Sequence, residues 1–482
     1  MSGISLNLLE EKTQFYLISV FSFVVFFTKL WQGPLTGDEA CYALLSKEIL
    51  KTGDWLIIHH PYFTEWSNFY EHPPLYMWIT AINYKIFGIS DFAAKLFSAF
   101  TGFASVIVLY FTAKKITDHH YAFLTASILA TTLYFIDYGR KARLEVPLTF
   151  FILLSFFFVV LLLKEKRIIW AFLSGTAMSL AFLIKGIPAF ASVLIAILAF
   201  IFITDGIKNK IVNTLIFLSG ILFILLPWTL AQFYYDDGRF FSWYIFKQVG
   251  WSLAGRKSTG NMNDFNFASF LFYPKKLLLE IMVPWTFISL FGIWEIFKKK
   301  YSKDNIIKYI IVFSFLIILM AFSIVQFKKT RYILPVVPFL ALLAAEFLYN
   351  QSWKNILIQW IARVLVFLTI LIIFIATFTS IPFHSKKGGD FLKFKPQVES
   401  ITFPGDSLLT GGIQPYDVYQ VFSWYFDRPC KITDNIEGFS KAWQSGNYKL
   451  GIYKSGNESE QFEQLIGIER FDRNNNYYLF CK

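Results

Sequence analysis

Charge is scarce in this sequence. Asp, Glu, Lys and Arg make up 16% of its 482 residues, against 55% hydrophobic ones, well short of the quarter typical of a soluble domain. Cysteine is scarcer still. Cys41, Cys430 and Cys481 are the three present, and no CxxC or Cys/His spacing of the zinc-binding kind occurs, which argues against a structural zinc site. Cys430 and Cys481 share the polar C-terminal region, where two cysteines are compatible with a disulfide without being shown to lie close together. No Walker motif or Gly-rich nucleotide loop is found, which disfavours a nucleotide-bound donor. Internal repeats and low-complexity tracts are lacking too. The N-terminal MSGISLNLLEEKTQ has no basic region, and no small-residue cleavage site follows the first apolar run, so that run reads as a retained anchor.

What fills the chain is hydrocarbon. Mean hydropathy is +0.49, and apolar runs long enough to cross a bilayer, roughly 17 to 25 residues each, recur from residue 15 to residue 379. The candidate spans are about 15–31, 92–113, 121–136, 146–163, 168–184, 187–204, 211–232, 277–297, 306–327, 331–349 and 355–379. Residues 74–88 form a shorter, Tyr- and Trp-rich run that suits an interfacial or re-entrant helix. With that run left out of the count, Lys114-Lys115, the cluster from Lys164 to Arg167, Lys208 and Lys210, Lys298 to Lys300 and Lys354 all fall on the N-terminal side. That is the positive-inside pattern. The formal charge of +12 is therefore a topology signal, not a sign of nucleic acid. After residue 380 the chain turns polar. Short stretches such as SLLTGG, VYQVFSWYF, YKLGIYKSG and NYYLFCK are separated by Gly, Asn and Asp turns, as expected for a small α/β or mostly β domain.

The expected organisation is a transmembrane domain over 1–379, with long extracytoplasmic loops at 32–91 and 233–276, and a soluble domain over 380–482. On the outer face an uneven set of polar residues gathers. Asp38 and Glu39 open the first loop, and EHPPLYMW (Glu71 to Trp78) closes it. GRKARLEVPL brings Arg140, Arg143 and Glu145, FLIKGIPAF brings Lys185, GWSLAGRKSTG brings Arg256 and Lys257, and KKTRYILPVVP begins at Lys328. Any one basic residue at a helix end ordinarily snorkels to the headgroups. Several of them on the face that should be poor in cations, beside an Asp-Glu pair, point to an anionic ligand.

Carboxylates and cations together at a membrane surface suit sugar transfer from a lipid-linked phosphate. The leaving phosphate needs its charge neutralised, the acceptor hydroxyl needs a general base, and the polyprenyl tail needs an apolar groove. The 57 phenylalanines give ample material for the groove.

These blocks resemble those of the bacterial protein O-mannosyltransferase-like and lipid A aminoarabinose transferase-like family of C-type membrane glycosyltransferases, in the same order over about residues 30–345. DEACYALLSKEIL is similar to the family's Asp-Glu-x-Arg-Tyr helix, and GDWLIIHH with EHPPLYMWITAINYKIFG to the second half of its first loop. ARLEVPLTFF, FLIKGIP and KKTRYILPVVP match three further blocks. The resemblance implies an all-α polytopic fold of about 11–13 transmembrane helices with a small C-terminal α/β periplasmic domain. It also implies an inner-membrane location, and inverting transfer of a hexosyl or pentosyl group from a polyprenyl-phosphate sugar to lipid A, another glycolipid or a protein.

Asp38 stands where the family carries its essential acid and takes the base role, with Glu39 beside it. Tyr42, Glu71, His72, Arg143, Glu145, Lys185, Arg256, Lys328, Lys329, Arg331 and Tyr332 are the candidates for holding donor and phosphate. Cys41 replaces the motif's usual Arg, His72 its phosphate-binding Lys, and Glu145 its Asp. A histidine at position 72 makes phosphate binding sensitive to pH near neutrality. No cofactor is required on this reading, although Glu71, His72 and His60, or His59, would suit a divalent metal. A lipid-sugar flippase and a non-catalytic envelope scaffold are the alternatives. The flippase lacks the paired halves common in transporters, and the scaffold leaves Asp38 and Glu39 unexplained.

Overall fold

A computed structural model describes residues 7–62, 67–202, 206–254, 267–299, 305–379, 390–403, 405–414, 418–454, 471–473 and 477–481. The chain divides into two compact units. One comprises Met1–Leu30, Tyr70–Tyr76 and Lys95–Ile381, the other Trp31–Phe69, Met77–Ala94 and Pro382–Lys482.

The first unit is helical. Each of the eleven candidate spans holds a helix or a bent pair of helices. Among the described residues six helices are long and apolar enough to cross a membrane, or up to eight if each bent pair is one span. The bends lie between His119–Ala130 and Leu133–Gly139, at 66°, and between Phe272–Ile281 and Trp285–Lys298, at 113°. Ile169–Lys185 and Ile187–Ile201 are apolar but shorter. The run at 74–88 is the thirteen-residue helix Leu75–Phe87, roughly 20 Å long at 1.5 Å per residue and too short for a hydrocarbon core of about 30 Å. The protein is a multi-pass membrane protein.

Short connections make successive helices antiparallel, so their ends collect into two polar layers. In one layer Lys115 pairs with Glu165 at 2.7 Å and Lys308 with Glu346 at 2.8 Å. The other holds the start of Glu145–Glu165 and the end of Ile169–Lys185. There Arg140, buried, donates to the carbonyls of Val25 and Thr28, both at 2.6 Å. Those carbonyls end the helix Glu11–Phe27 and have no partner within it. Ile169–Lys185 is locked against Gly206–Asp236 by reciprocal glycines. A Cβ at Gly175 would lie 2.0 Å from the Phe217 carbonyl oxygen, and one at Gly220 would lie 2.1 Å from that of Phe172. Small residues let the two backbones touch, as at many helix crossings in membranes.

The second unit contains a five-stranded sheet of β1 (Leu408–Gly411), β2 (Cys430–Thr433), β3 (Leu450–Lys454), β4 (Phe471–Arg473) and β5 (Tyr477–Cys481), in the order β2-β1-β3-β5-β4. β1 pairs in parallel with β2 and β3, and β5 runs antiparallel to both β3 and β4. The helix Ile436–Gln444 is capped by Asn435, whose side-chain oxygen accepts from the Gly438 amide at 2.8 Å. It lays Phe439 and Trp443 on the sheet. The α/β character is as expected, with one exception. VYQVFSWYF is helical over residues 418–426, not extended. Phe422 lies one turn before the adjacent Tyr425 and Phe426, and all three pack on Phe391, a contact that a strand's alternating faces would split. Cys430 and Cys481 are not joined by a disulfide. They lie on β2 and β5, with β1 and β3 between them, roughly 14 Å apart at the usual strand spacing and out of disulfide reach.

Candidate active site

Two helix ends build the polar centre of the first unit. Glu145 is the first residue of Glu145–Glu165 and Lys185 the last of Ile169–Lys185. The helix dipole favours an anion at the first position and a cation at the second. Lys185 Nζ lies 2.7 Å from Glu145 Oε1, and Arg331 Nε reaches the same oxygen at 3.1 Å. Lys185 Nζ also stands 4.1 Å from the centre of the Tyr332 ring. Glu145 and Lys185 are almost fully buried, at 4% and 8% exposure, so this is a desolvated charge cluster and not a surface pair.

The cluster borders a cavity of about 130 Å³. His72, Glu145, Lys185, Tyr273 and Tyr332 give it polar groups, and residues such as Leu148, Val249, Leu253 and Phe322 give it an apolar wall. Between the lining residues Lys185 and Ile187 the chain reverses at Gly186, whose φ of +73° is a left-handed conformation suited to glycine. Tyr244 staples this turn. Its hydroxyl donates to the Lys185 carbonyl at 3.1 Å and accepts from the Ile187 amide at 3.0 Å. A Cβ at Gly186 would fall 1.9 Å from that hydroxyl.

Lys328 donates to Ser269 Oγ at 3.0 Å and to the Val325 carbonyl, and desolvation holds its pKa below the usual lysine value. The Lys329 ammonium stands over the Phe327 ring, while its carbonyl accepts from the Tyr332 amide at 2.9 Å and the Tyr273 hydroxyl at 3.3 Å. Arg143 is half-buried, with its backbone tied to Ser98 Oγ on both sides. Glu71, half-buried, precedes the cavity residue His72.

The structure thus brings His72, Glu145, Lys185, Arg331 and Tyr332 together. Arg256, with Lys257, lies outside the described residues. Asp38, Glu39 and Tyr42 belong to the second unit. Asp38 is the half-buried first residue of the helix Asp38–Thr52, and Glu39 and Tyr42 are buried in it.

The histidines considered for a metal have other surroundings. His59 bonds Asp54 at 2.8 Å and Asn68 at 3.0 Å, stapling a loop. His60 is half-buried beside Cys41 Sγ at 3.9 Å, and desolvation lowers its pKa to about 4. Among the described residues no group of three or more His, Cys, Asp or Glu side chains is arranged to hold a metal ion.

Tyr244, Gln248, Ser252 and Tyr273 line the cavity without having been singled out from the sequence. The segment 233–276, read as a loop, is helical over 239–254. Tyr244, Gln248 and Ser252 stand at i, i+4 and i+8 on it, a periodic polar stripe that was the available signal.

This architecture is the C-type glycosyltransferase fold. The crystal structure of ArnT from Cupriavidus metallidurans bound to undecaprenyl phosphate superposes with a TM-score of 0.71 at 17% identity, covering 96% of this chain and 97% of that one. The Archaeoglobus fulgidus oligosaccharyltransferase gives 0.58 at 12% identity, covering 92% of this chain and 69% of that one. Residues 71–230 match the family described as dolichyl-phosphate-mannose-protein mannosyltransferase, a stretch that includes His72, Glu145 and Lys185.

Among curated proteins, an undecaprenyl phosphate-alpha-4-amino-4-deoxy-L-arabinose arabinosyl transferase of Photorhabdus laumondii is 26% identical over 341 residues, covering 68% of this chain. A protein of unassigned activity from Aquifex aeolicus is 28% identical over 347 residues, covering 71% of this chain. The matches span 59% and 65% of those relatives' own lengths.

Proposed function

We propose that this chain is a membrane glycosyltransferase that moves a sugar from a polyprenyl-phosphate donor to an extracytoplasmic acceptor with inversion. The observation that carries the reading is the cluster in which Lys185 and Arg331 converge on one oxygen of buried Glu145 beside an apolar-walled cavity. Two cations already desolvated and held in place are a receptor for a second anion, and fixed charges in a dry site stabilise a leaving phosphate strongly. The apolar wall suits the first isoprene units. The similarity in fold to an undecaprenyl-phosphate-bound protein supports the same ligand class.

In the proposed reaction the acceptor hydroxyl attacks the anomeric carbon as the bond from that carbon to the phosphate oxygen breaks. Lys185 and Arg331 neutralise the departing polyprenyl phosphate, and Tyr332 donates a hydrogen bond to a phosphate oxygen. Side-chain cations supply the charge neutralisation in this step. The base that takes the hydroxyl proton is assigned to Asp38 by the resemblance of its segment, independently of that cluster.

The test is transfer of labelled sugar by the purified protein, wild type against Asp38→Asn. A positioned base contributes roughly 10²–10⁴ in rate, so near-complete loss is expected with polyprenyl-phosphate binding kept. Transfer by the variant within threefold of wild type would remove Asp38 as the base. Mass spectrometry of envelope glycolipids and glycoproteins, with and without the gene, would identify sugar and acceptor.

A further inference from the structure

The helix Gly206–Asp236 exposes most of its side chains, as a lipid-facing helix does, and its buried residues are Phe217, Gly220, Trp228, Gln232 and Asp236. The last three stand at i, i+4 and i+8, so one stripe of polar-bearing side chains faces inward. Asp236 is 5% exposed, and its Oδ1 accepts a hydrogen bond from the Tyr70 hydroxyl at 2.9 Å. A buried carboxylate is costly unless it is hydrogen-bonded, so the contact fixes both partners.

Tyr70 lies two residues before His72, which lines the cavity. Its ring packs on Phe240 at 6.1 Å and Trp243 at 6.3 Å. Both follow the left-handed turn at Asp237 and Gly238, just after Asp236. The short segment that carries His72 is thereby held at its start by a hydroxyl and a ring, both gripped by the end of one helix and the beginning of the next.

We infer that the Tyr70–Asp236 hydrogen bond is a positioning contact that sets His72 against the phosphate of the bound donor. The inference rests on the proposed phosphate site. Neither Tyr70 nor Asp236 touches the ligand on this account. They act through His72.

The experiment measures binding of a radiolabelled polyprenyl phosphate to the purified full-length protein in detergent, with thermal unfolding recorded for each variant. Tyr70→Phe keeps the ring and removes the hydroxyl, and is expected to weaken binding about tenfold, at the upper end for one hydrogen bond. Asp236→Leu is expected to match it. Asp236→Asn, whose amide oxygen still accepts, is expected to bind within about threefold of wild type. In a His72→Ala background, Tyr70→Phe should add less than a twofold loss, because groups acting through one another are not additive.

Failure of the wild type to bind polyprenyl phosphate would sink the proposed function itself. Wild-type binding with an unchanged Tyr70→Phe, or a full tenfold loss persisting without His72, would overturn this inference alone. A loss in Tyr70→Phe that tracks a lowered unfolding temperature, with Asp236→Asn binding as weakly as Asp236→Leu, would also overturn it by making the contact merely structural.

Discussion

Among the described residues the helical unit carries two buried glutamates at opposite ends, each with two cations in ion-pair contact. Glu346 lies in the last turn of Val337–Tyr349, where the helix dipole disfavours an anion. It is surrounded accordingly. Lys308 stands at 2.8 Å, Lys299 at 3.3 Å, and Asn350 donates to it at 3.1 Å. Glu145 opens its helix, where the dipole already favours it, and its two cations meet on a single oxygen beside a cavity. The same charge motif therefore does two jobs. Glu346 needs its cations and pins the ends of three helical segments. Glu145 needs them less, which leaves Lys185 and Arg331 able to attract a second anion.

The comparison breaks most completely if the two ends share one side of the membrane. Asp237 and Lys208 are exposed at opposite ends of Gly206–Asp236. In a cysteine-free background, an impermeant thiol reagent on intact spheroplasts should label Asp237→Cys and spare Lys208→Cys until the membrane is opened. The reverse pattern would place the proposed site in the cytoplasm.

A smaller, energetic contrast follows from removing each carboxylate. Breaking a buried pair costs roughly 3–5 kcal/mol, so Glu145→Gln and Glu346→Gln should both lower the thermal unfolding temperature. Added polyprenyl phosphate should restore much of the loss at Glu145, because saturation at a hundred times Kd contributes about 2.7 kcal/mol. At Glu346 it should raise the variant only as far as it raises wild type. Equal recovery in both would erase the distinction.

The smallest expected effect is at His72. It lines the cavity beside Lys185 and Glu145, so His72→Lys, which places an ammonium there, should keep activity and bind polyprenyl phosphate at least as tightly as wild type. Binding weakened about tenfold by His72→Lys with folding intact would remove His72 from phosphate binding.

Lys185, Arg331 and Glu145 were legible in the sequence because cations on the outer face violate the positive-inside trend. The eleven helical segments were legible because hydrocarbon demands long apolar runs. Tyr244, Gln248 and Ser252 were hidden by reading 233–276 as a loop, although their four-residue spacing was there to count. Arg140 looked like one more site cation. Its role as a cap on the helix ending at Phe27 depends on tertiary placement, which spacing does not encode. The bends of 66° and 113° were likewise invisible in apolar runs that read as continuous. VYQVFSWYF shows how an aromatic-rich stretch of nine residues fits either period until its packing partner is known.

The central claim is that the cations around Glu145, and not those around Glu346, receive a lipid phosphate. Binding of polyprenyl phosphate to Lys185→Ala and Lys308→Ala, side by side at matched folded protein, tests it directly. A charge-assisted contact contributes roughly 1.5–3 kcal/mol, or about ten- to a hundredfold in affinity. Lys185→Ala should lose that much, and Lys308→Ala should stay within twofold of wild type. Unchanged binding by Lys185→Ala, or an equal loss at Lys308, would contradict the account.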